Sequence, residues 1–358
     1  MTRYTESRVM IRLEDVTQAY PSSGREGRVA LGPVSLEVFE QEFLAVLGPS
    51  GSGKTTLLRV IAGLEMPQTG RVELAGLDVT NVKRTPPEKR GVGMVFQDYA
   101  LFPHLTVWEN VAFGLSGRNG AKRARVEEVL ELVGLQGMGD RYPYELSGGE
   151  QQRVALARTL APNPRVVLLD EPFSNLDADL RREMRSEVKA ILRKLQSTVI
   201  LVTHDQEEAF DWGDRMAVLN RGRIEQLGAS EEIYTAPATR FVAEFIGRAD
   251  FLIGRRCSEG IETELGVFSL KSSAGRVSQH ETWEILIRPD MVEIEPDPKG
   301  GAVIVARRFS GIQKLYCLEL PSGQRIHSLQ PSTRNLPEGS RVRLKVLLKK
   351  AICFPQGS

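Results

Sequence analysis

Up to about residue 235, short apolar runs alternate with longer stretches of helical periodicity. Phe43–Leu47, Gly93–Phe96, Val166–Leu169 and Val199–Val202 are continuous apolar runs, the pattern of strands buried on both faces of a mostly parallel sheet. Leu180, Met184, Val188, Ile191, Leu192 and Leu195 recur at helical spacing and predict an amphipathic helix covering that sheet. Such alternation predicts a layered α/β domain. From about Asp98 to Leu160 no run is strand-like, so this stretch reads as a helical insertion (about 98–160). Within it, Ala121 to Leu135 turns Val126, Val129, Leu130 and Val133 inward. The pattern changes after Phe245. Glu284–Ile287, Ala302–Val305, Lys314–Leu320 and Arg341–Leu348 are short alternating runs, separated by turn signals at Pro298-Lys299-Gly300-Gly301 and Pro321-Ser322-Gly323. The expectation is an α/β domain over 1–240 and a small all-β barrel over 241–358.

Length and composition narrow this picture. A chain of 358 residues has room for two or three domains. Lys+Arg 47 against Asp+Glu 46 leaves +1, so no bulk charge draws it to nucleic acid or anionic membrane. The apolar runs are far short of the roughly 18–20 residues that cross a bilayer. The three cysteines, Cys257, Cys317 and Cys353, lack metal-ligand spacing, and no hydrophobic signal segment opens the chain. A reducing cytosol is the expected home. The basic run Arg341–Lys350 has no interleaved aromatics and reads as a solvated strand face, not a nucleic-acid site.

The chemistry concentrates at the ends of the apolar runs. Leu44–Leu47 leads into Gly48, Pro49, Ser50, Gly51, Ser52, Gly53, Lys54, Thr55 and Thr56, a glycine-rich phosphate loop between a strand and a helix. Glycines let successive amides turn inward, and the helix behind offers its positive end. Lys54 would bridge β- and γ-phosphates, and Thr55 would ligate Mg²⁺. Val166–Leu169 delivers Asp170 and Glu171 at a strand's carboxyl end. Asp170 suits the Mg²⁺ shell and Glu171 the base that takes a proton from attacking water. Gln97 and His204 end two further runs facing the same crevice, Gln97 through Mg²⁺ and water, His204 directly toward a γ-phosphate. Tyr20, in a glycine- and serine-containing loop, is a candidate for stacking on adenine. Leu146 to Arg153 carries a capping box, Ser147 to Glu150, whose first turn holds Gly148 and Gly149 with bare amides. This second phosphate grip lies in the insertion. If it faces away from its own loop, it reaches nucleotide in a second copy of the chain, two ATPs being sandwiched in a head-to-tail dimer.

These residues resemble ABC transporter ATPases, whose motifs occur here in order over roughly residues 10–245. The resemblance implies an ATP- and Mg²⁺-dependent P-loop NTPase, with Tyr20 as the adenine-stacking aromatic and Asp177 at the dimer seam. The family's Ser-Ala-Leu-Asp is Ser174-Asn175-Leu176-Asp177 here. Absence of long heptads and of a second phosphate loop argues against DNA-repair and translation-associated relatives, and Glu171 argues against a regulator that never turns over. Asp98 to Val107 resembles the surface by which importer ATPases grip a transmembrane permease. Ile287 to Ile294 and the later β-runs resemble the OB-like TOBE domain, regulatory or dimerising. The resemblance thus implies a peripheral subunit on the cytoplasmic face of the inner membrane, coupled indirectly to a periplasmic or lipoprotein substrate-binding protein. Ala306 to Gly323 leans toward ferric-iron importers; polyamine, sulfate, molybdate and sugar importers share the architecture.

Overall fold

The computed structural model describes residues 8–21, 28–269, 282–347 and 351–356. The chain divides between Glu231 and Glu232, rather than near residue 240. Residues around 240 go with the second unit because Arg240 forms two hydrogen bonds to Glu284, at 2.9 and 2.8 Å. The buried Arg288 also donates to the carbonyls of Ala243 and Gly247.

In the first unit the strands are β1 (Val9–Tyr20), β2 (Arg28–Phe39), β3 (Phe43–Leu47), β4 (Thr69–Leu74), β5 (Leu77–Asp78), β6 (Val92–Val95), β7 (Val166–Asp170), β8 (Thr198–Thr203), β9 (Arg215–Asn220) and β10 (Arg223–Gly228). The helices are α1 (Lys54–Ala62), α2 (Val107–Ala112), α3 (Asn119–Leu132), α4 (Gly148–Leu160), α5 (Ala178–Lys194) and α6 (Gln206–Trp212). The central sheet runs β10-β9-β3-β8-β7-β6, with every pairing parallel except β9 with β10. Strands β3, β7 and β8 are buried along their whole length, as their unbroken apolar runs require. The carboxyl ends of β3, β7, β8 and β6 therefore open side by side, where α/β sheets bind ligands.

The sequence reading missed a second, antiparallel sheet, β2-β1-β4-β5. It shares one core with α1 and the near face of the central sheet through Ile11, Leu13, Leu36, Val38, Leu57 and Val202. The stretch from 98 to 160 holds α2, α3 and α4 and no strand. Val126, Val129, Leu130 and Val133 of its middle helix are buried as its periodicity demands.

The second unit is all-β apart from short helices. Two five-stranded antiparallel sheets, in place of one continuous barrel wall, enclose a core that includes Leu252, Trp283, Ile285, Ile304, Tyr316 and Leu318. The strand expected over Arg341–Leu348 is Arg341–Val346, and Leu348 lies outside the described residues.

Candidate functional site

The phosphate loop leaves β3 and enters α1 at Lys54. Gly51 and Gly53 take φ of +77° and +105°, the left-handed region that favours glycine. A Cβ on Gly53 would stand 2.2 Å from the Ala30 carbonyl oxygen, and one on Gly48 2.2 Å from that of Leu219. Both positions are closed to any side chain. No side chain caps α1 and no acidic residue stands in its first turn, so its free amides suit an anion. Lys54 is 5% exposed; Nζ donates to the carbonyls of Gly48 (2.9 Å) and Pro49 (3.1 Å) and lies 3.9 Å from Glu171. Burial pushes its pKa below the ordinary lysine value, against the pull of Glu171 and Asp170. The Ser52 hydroxyl is buried inside the loop without a hydrogen-bond partner. Such a cradle fits a polyphosphate. Gly53→Ala is expected to weaken ATP binding at least tenfold in equilibrium titration; an affinity within twofold of wild type would show that the loop tolerates the clash.

Asp170 closes β7, and its Oδ1 accepts a hydrogen bond from Thr55 Oγ1 at 3.1 Å. Burial raises the Asp170 carboxyl above its usual range, the Thr55 bond opposes this, and the Glu171 charge adds to it. Among the described residues no cluster of three or more His, Cys, Asp or Glu could hold a metal alone. A single carboxylate beside a hydroxyl is the donor set Mg²⁺ accepts when water and phosphate oxygens complete its octahedron. Glu171 sits at φ +45°, a conformation that costs a non-glycine residue about 1–2 kcal/mol, and its N–H is tied to the Val202 carbonyl at 2.9 Å. His204 Nδ1 lies 2.9 Å from Glu171 Oε2, with the histidine side chain 57% exposed. Lys54, Glu171 and His204 thus form one contact chain across three strand ends.

Gln97 is exposed just beyond β6, and its carbonyl accepts from Asn175 Nδ2 at 3.1 Å. Asn175, which the sequence marked only as a departure from the family pattern, therefore ties the segment after Glu171 to the Gln97 segment. Arg181 fixes the same stretch by donating to the carbonyls of Phe173 and Leu176. Tyr20 corrects the sequence reading: it ends β1, paired with Arg28, instead of lying in the loop, whose residues 22–27 are outside those described. Its hydroxyl donates to Glu65 at 2.5 Å and stands 3.3 Å from Thr56 Oγ1, which places its half-exposed ring beside the first turn of α1.

Ser147 caps α4, its hydroxyl accepting from the Glu150 N–H while the Glu150 carboxylate accepts from the Ser147 N–H at 2.7 Å. The Ser147 hydroxyl also donates to that carboxylate at 2.7 Å, and this bond, with the one from the Ser147 N–H, holds the Glu150 carboxyl below its usual range. Cβ atoms on Gly148 and Gly149 would meet Leu176 and Leu180 at 3.6 and 3.4 Å, ordinary contact distances. Internal packing does not demand these glycines, and their bare amides at the start of α4 are open to an anion from outside. The adjoining cavity, about 270 Å³, is lined by Ser147, Gly149, Glu150, Arg153 and Leu180 and by no residue of the phosphate loop. Asp177 caps α5, accepting from the Leu180 N–H at 3.0 Å.

The segment Asp98 to Val107 is only partly an exposed apolar cluster. Tyr99 and Val107 are buried, Phe102 is half-buried against Phe113 (ring centroids 4.4 Å apart), and Pro103 and His104 are exposed. Asn110 holds it from beneath through the carbonyls of Phe102, Leu105 and Thr106.

Residues 31–174 match the ABC transporter family and residues 285–354 the TOBE domain. A sulfate/thiosulfate import ATP-binding protein of Chromobacterium violaceum is 51% identical over 75% of this chain and 72% of its own. Another of that name, from Bradyrhizobium diazoefficiens, is 44% identical over 88% and 93%. A spermidine/putrescine import ATP-binding protein of Pseudomonas fluorescens is 41% identical over 97% and 95%. A solved dimeric ATP-binding cassette, in a post-hydrolysis state with ADP and Pi, superposes with a TM-score of 0.56 at 34% identity, covering 62% of this chain and 98% of that one.

Proposed function

The chain belongs to the ATP-binding subunits of ABC importers, and from that premise we propose how its own residues work and what they help to import. The family hydrolyses ATP with Mg²⁺ to drive transport. In this chain the amides of 48–56 and Lys54 would hold the phosphates, Thr55 and Asp170 would hold Mg²⁺, and Gln97 would assist at the same ion. Mg²⁺ supplies charge neutralisation at the phosphates when bound. Glu171 orients a water and accepts its proton at a carboxylate oxygen. His204, bonded to Glu171, keeps that carboxylate aimed. The observation that carries the reading is the contact chain Lys54–Glu171–His204, set beside the Thr55–Asp170 pair.

Ser147, Gly148, Gly149 and Glu150 serve the nucleotide of a second copy, with Asp177 at the seam, so the working unit is a homodimer. Asp98 to Val107 docks the permease. Among the described residues no helix is long and apolar enough to cross a membrane, and the subunit works as a peripheral partner on the cytoplasmic face.

For the cargo, the ferric-iron lean of Ala306 to Gly323 gives way to a polyamine, because the spermidine/putrescine-named relative matches 97% of this chain. Sulfate is the second reading, favoured by 51% identity to a sulfate/thiosulfate-named relative. The test is uptake into proteoliposomes holding this chain with its permease and substrate-binding protein. ATP-dependent accumulation of labelled spermidine is expected. Accumulation of sulfate alone would promote the second reading, and of ferric iron alone would reinstate the ferric-iron lean.

A further inference from the structure

The turn that carries His204 between β8 and α6 has a buried acid behind it. Glu208, in the first turn of α6, is 4% exposed, and its Oε2 accepts a hydrogen bond from Thr203 Oγ1. That same hydroxyl accepts from the Asp205 N–H at 2.9 Å. One oxygen therefore bridges the Glu208 carboxylate to the peptide immediately after His204. The Asp205 side chain adds bonds from the N–H groups of Glu207 (2.9 Å) and Glu208 (3.3 Å). The other Glu208 oxygen is buried without a partner. Half-satisfied buried carboxyls destabilise a fold, and a leucine would fill this space without that cost. The acid earns its place only through what Thr203 transmits.

We propose that Glu208 is a positioning residue for His204, acting through the Thr203 hydroxyl to fix the turn that presents the imidazole to Glu171. This rests on the role given to His204 above. A carboxylate on one side of a hydroxyl makes its oxygen a better acceptor on the other, so the Asp205 peptide is held more firmly than by a free threonine. The grip matters because the histidine side chain is itself largely exposed, and among the described residues the bond to Glu171 is what orients the ring.

Burial pushes the Glu208 carboxyl up to about 7, helped by Asp205, while the Thr203 bond, Arg185 and Arg181 pull it down. Those are the charged groups that face it: Asp205 from its own turn, and Arg181 and Arg185 from α5. Of the strands packed against α6, β8 contributes the Thr203 hydroxyl and β3 has only apolar residues. When protonated, the carboxyl competes as a donor for Thr203 Oγ1, so the turn tightens as pH rises through about 7. For stability the sign is opposite. The folded state binds a proton that the unfolded chain releases near 4.5, so this group's contribution declines as pH rises from about 4.5 to about 7.

The test is steady-state ATPase kinetics of the full chain with Glu208→Leu, Glu208→Gln, Thr203→Val, the Leu/Val double variant and His204→Ala. Glu208→Leu and Thr203→Val are each expected to lower kcat about tenfold with KM for ATP within about twofold, and the double variant to be no slower than the worse single one. Glu208→Gln should recover most of kcat, because its amide oxygen still accepts from Thr203, and should lose the inflection in the kcat–pH profile near 7. The proposal is overturned if Glu208→Leu keeps kcat within twofold while His204→Ala loses it, if the two single losses multiply, or if Glu208→Gln is as slow as Glu208→Leu. Wild-type kcat in His204→Ala would instead remove the role of His204 itself. Should Glu208→Leu fail to fold, Thr203→Val against Thr203→Ser decides: rescue by serine supports the relay, and equal losses overturn it.

Discussion

Glu171→Gln is expected to lower kcat for ATP hydrolysis about 10²- to 10⁴-fold, the usual size of a lost general base. Mg-ATP affinity should stay within about threefold. The reasoning separates the two effects by residue. Binding rests on the amides of 48–56, on Lys54, and on the Thr55–Asp170 pair, none of which the substitution touches. The left-handed backbone at Glu171 is as accessible to glutamine as to glutamate, so the φ of +45° survives. The amide also keeps the bond to His204 Nδ1, with the histidine tautomer adjusting. What glutamine cannot do is take a proton. ATP therefore persists, and the variant should elute as a dimer with ATP and as a monomer with ADP, since the α4 amino terminus of the partner needs the γ-phosphate. The measurement is single-turnover hydrolysis alongside size-exclusion chromatography. Hydrolysis at the wild-type rate would move the base elsewhere, with His204 the next candidate.

What the sequence revealed and concealed follows from the physics of each element. Strands β3, β7 and β8 were readable because burial on both faces leaves no polar interruption. The antiparallel sheet was hidden by its own irregularity. β1 pairs with β2 through register shifts between Val9 and Ile11, Leu13 and Val16, and Val16 and Gln18, each of which breaks the two-residue period. The strand Arg325–Pro331 was concealed differently: Ser328 and Gln330 face inward and bond the Val292 carbonyl, so its buried face is half polar. Motif residues such as Lys54, Asp170 and Ser147 stood out in the sequence because the phosphate chemistry proposed for them would fix both residue type and spacing. Their supports did not. Asn175 acts through one carbonyl from a distant segment, and Glu208 through one hydroxyl on the strand just before its own helix. A buried acid on α6 reads, in sequence alone, like one more charge on a solvated helix.

Mixing Lys54→Ala chains with Ser147→Arg chains is expected to restore ATPase activity that neither variant has alone. Lys54 lies at the phosphate loop, while Ser147 opens a cavity lined by no residue of that loop. If each nucleotide is held by Lys54 of one chain and Ser147 of the other, both homodimers carry the lesion in both sites. A heterodimer carries both lesions in one site and none in the other. Random pairing makes half the dimers mixed, so activity should reach roughly a quarter of wild type if the sites turn over independently. The arginine removes the α4 cap as well, which costs about 1 kcal/mol of helix stability and leaves the fold intact. Two affinity tags, captured in sequence, isolate the heterodimer for assay. A site built within one chain gives the opposite result, because every chain in the mixture then carries a lesion in its own site. Purified heterodimers with no more activity than either parent would exclude the shared site, and the bare amides of Gly148 and Gly149 would need another ligand.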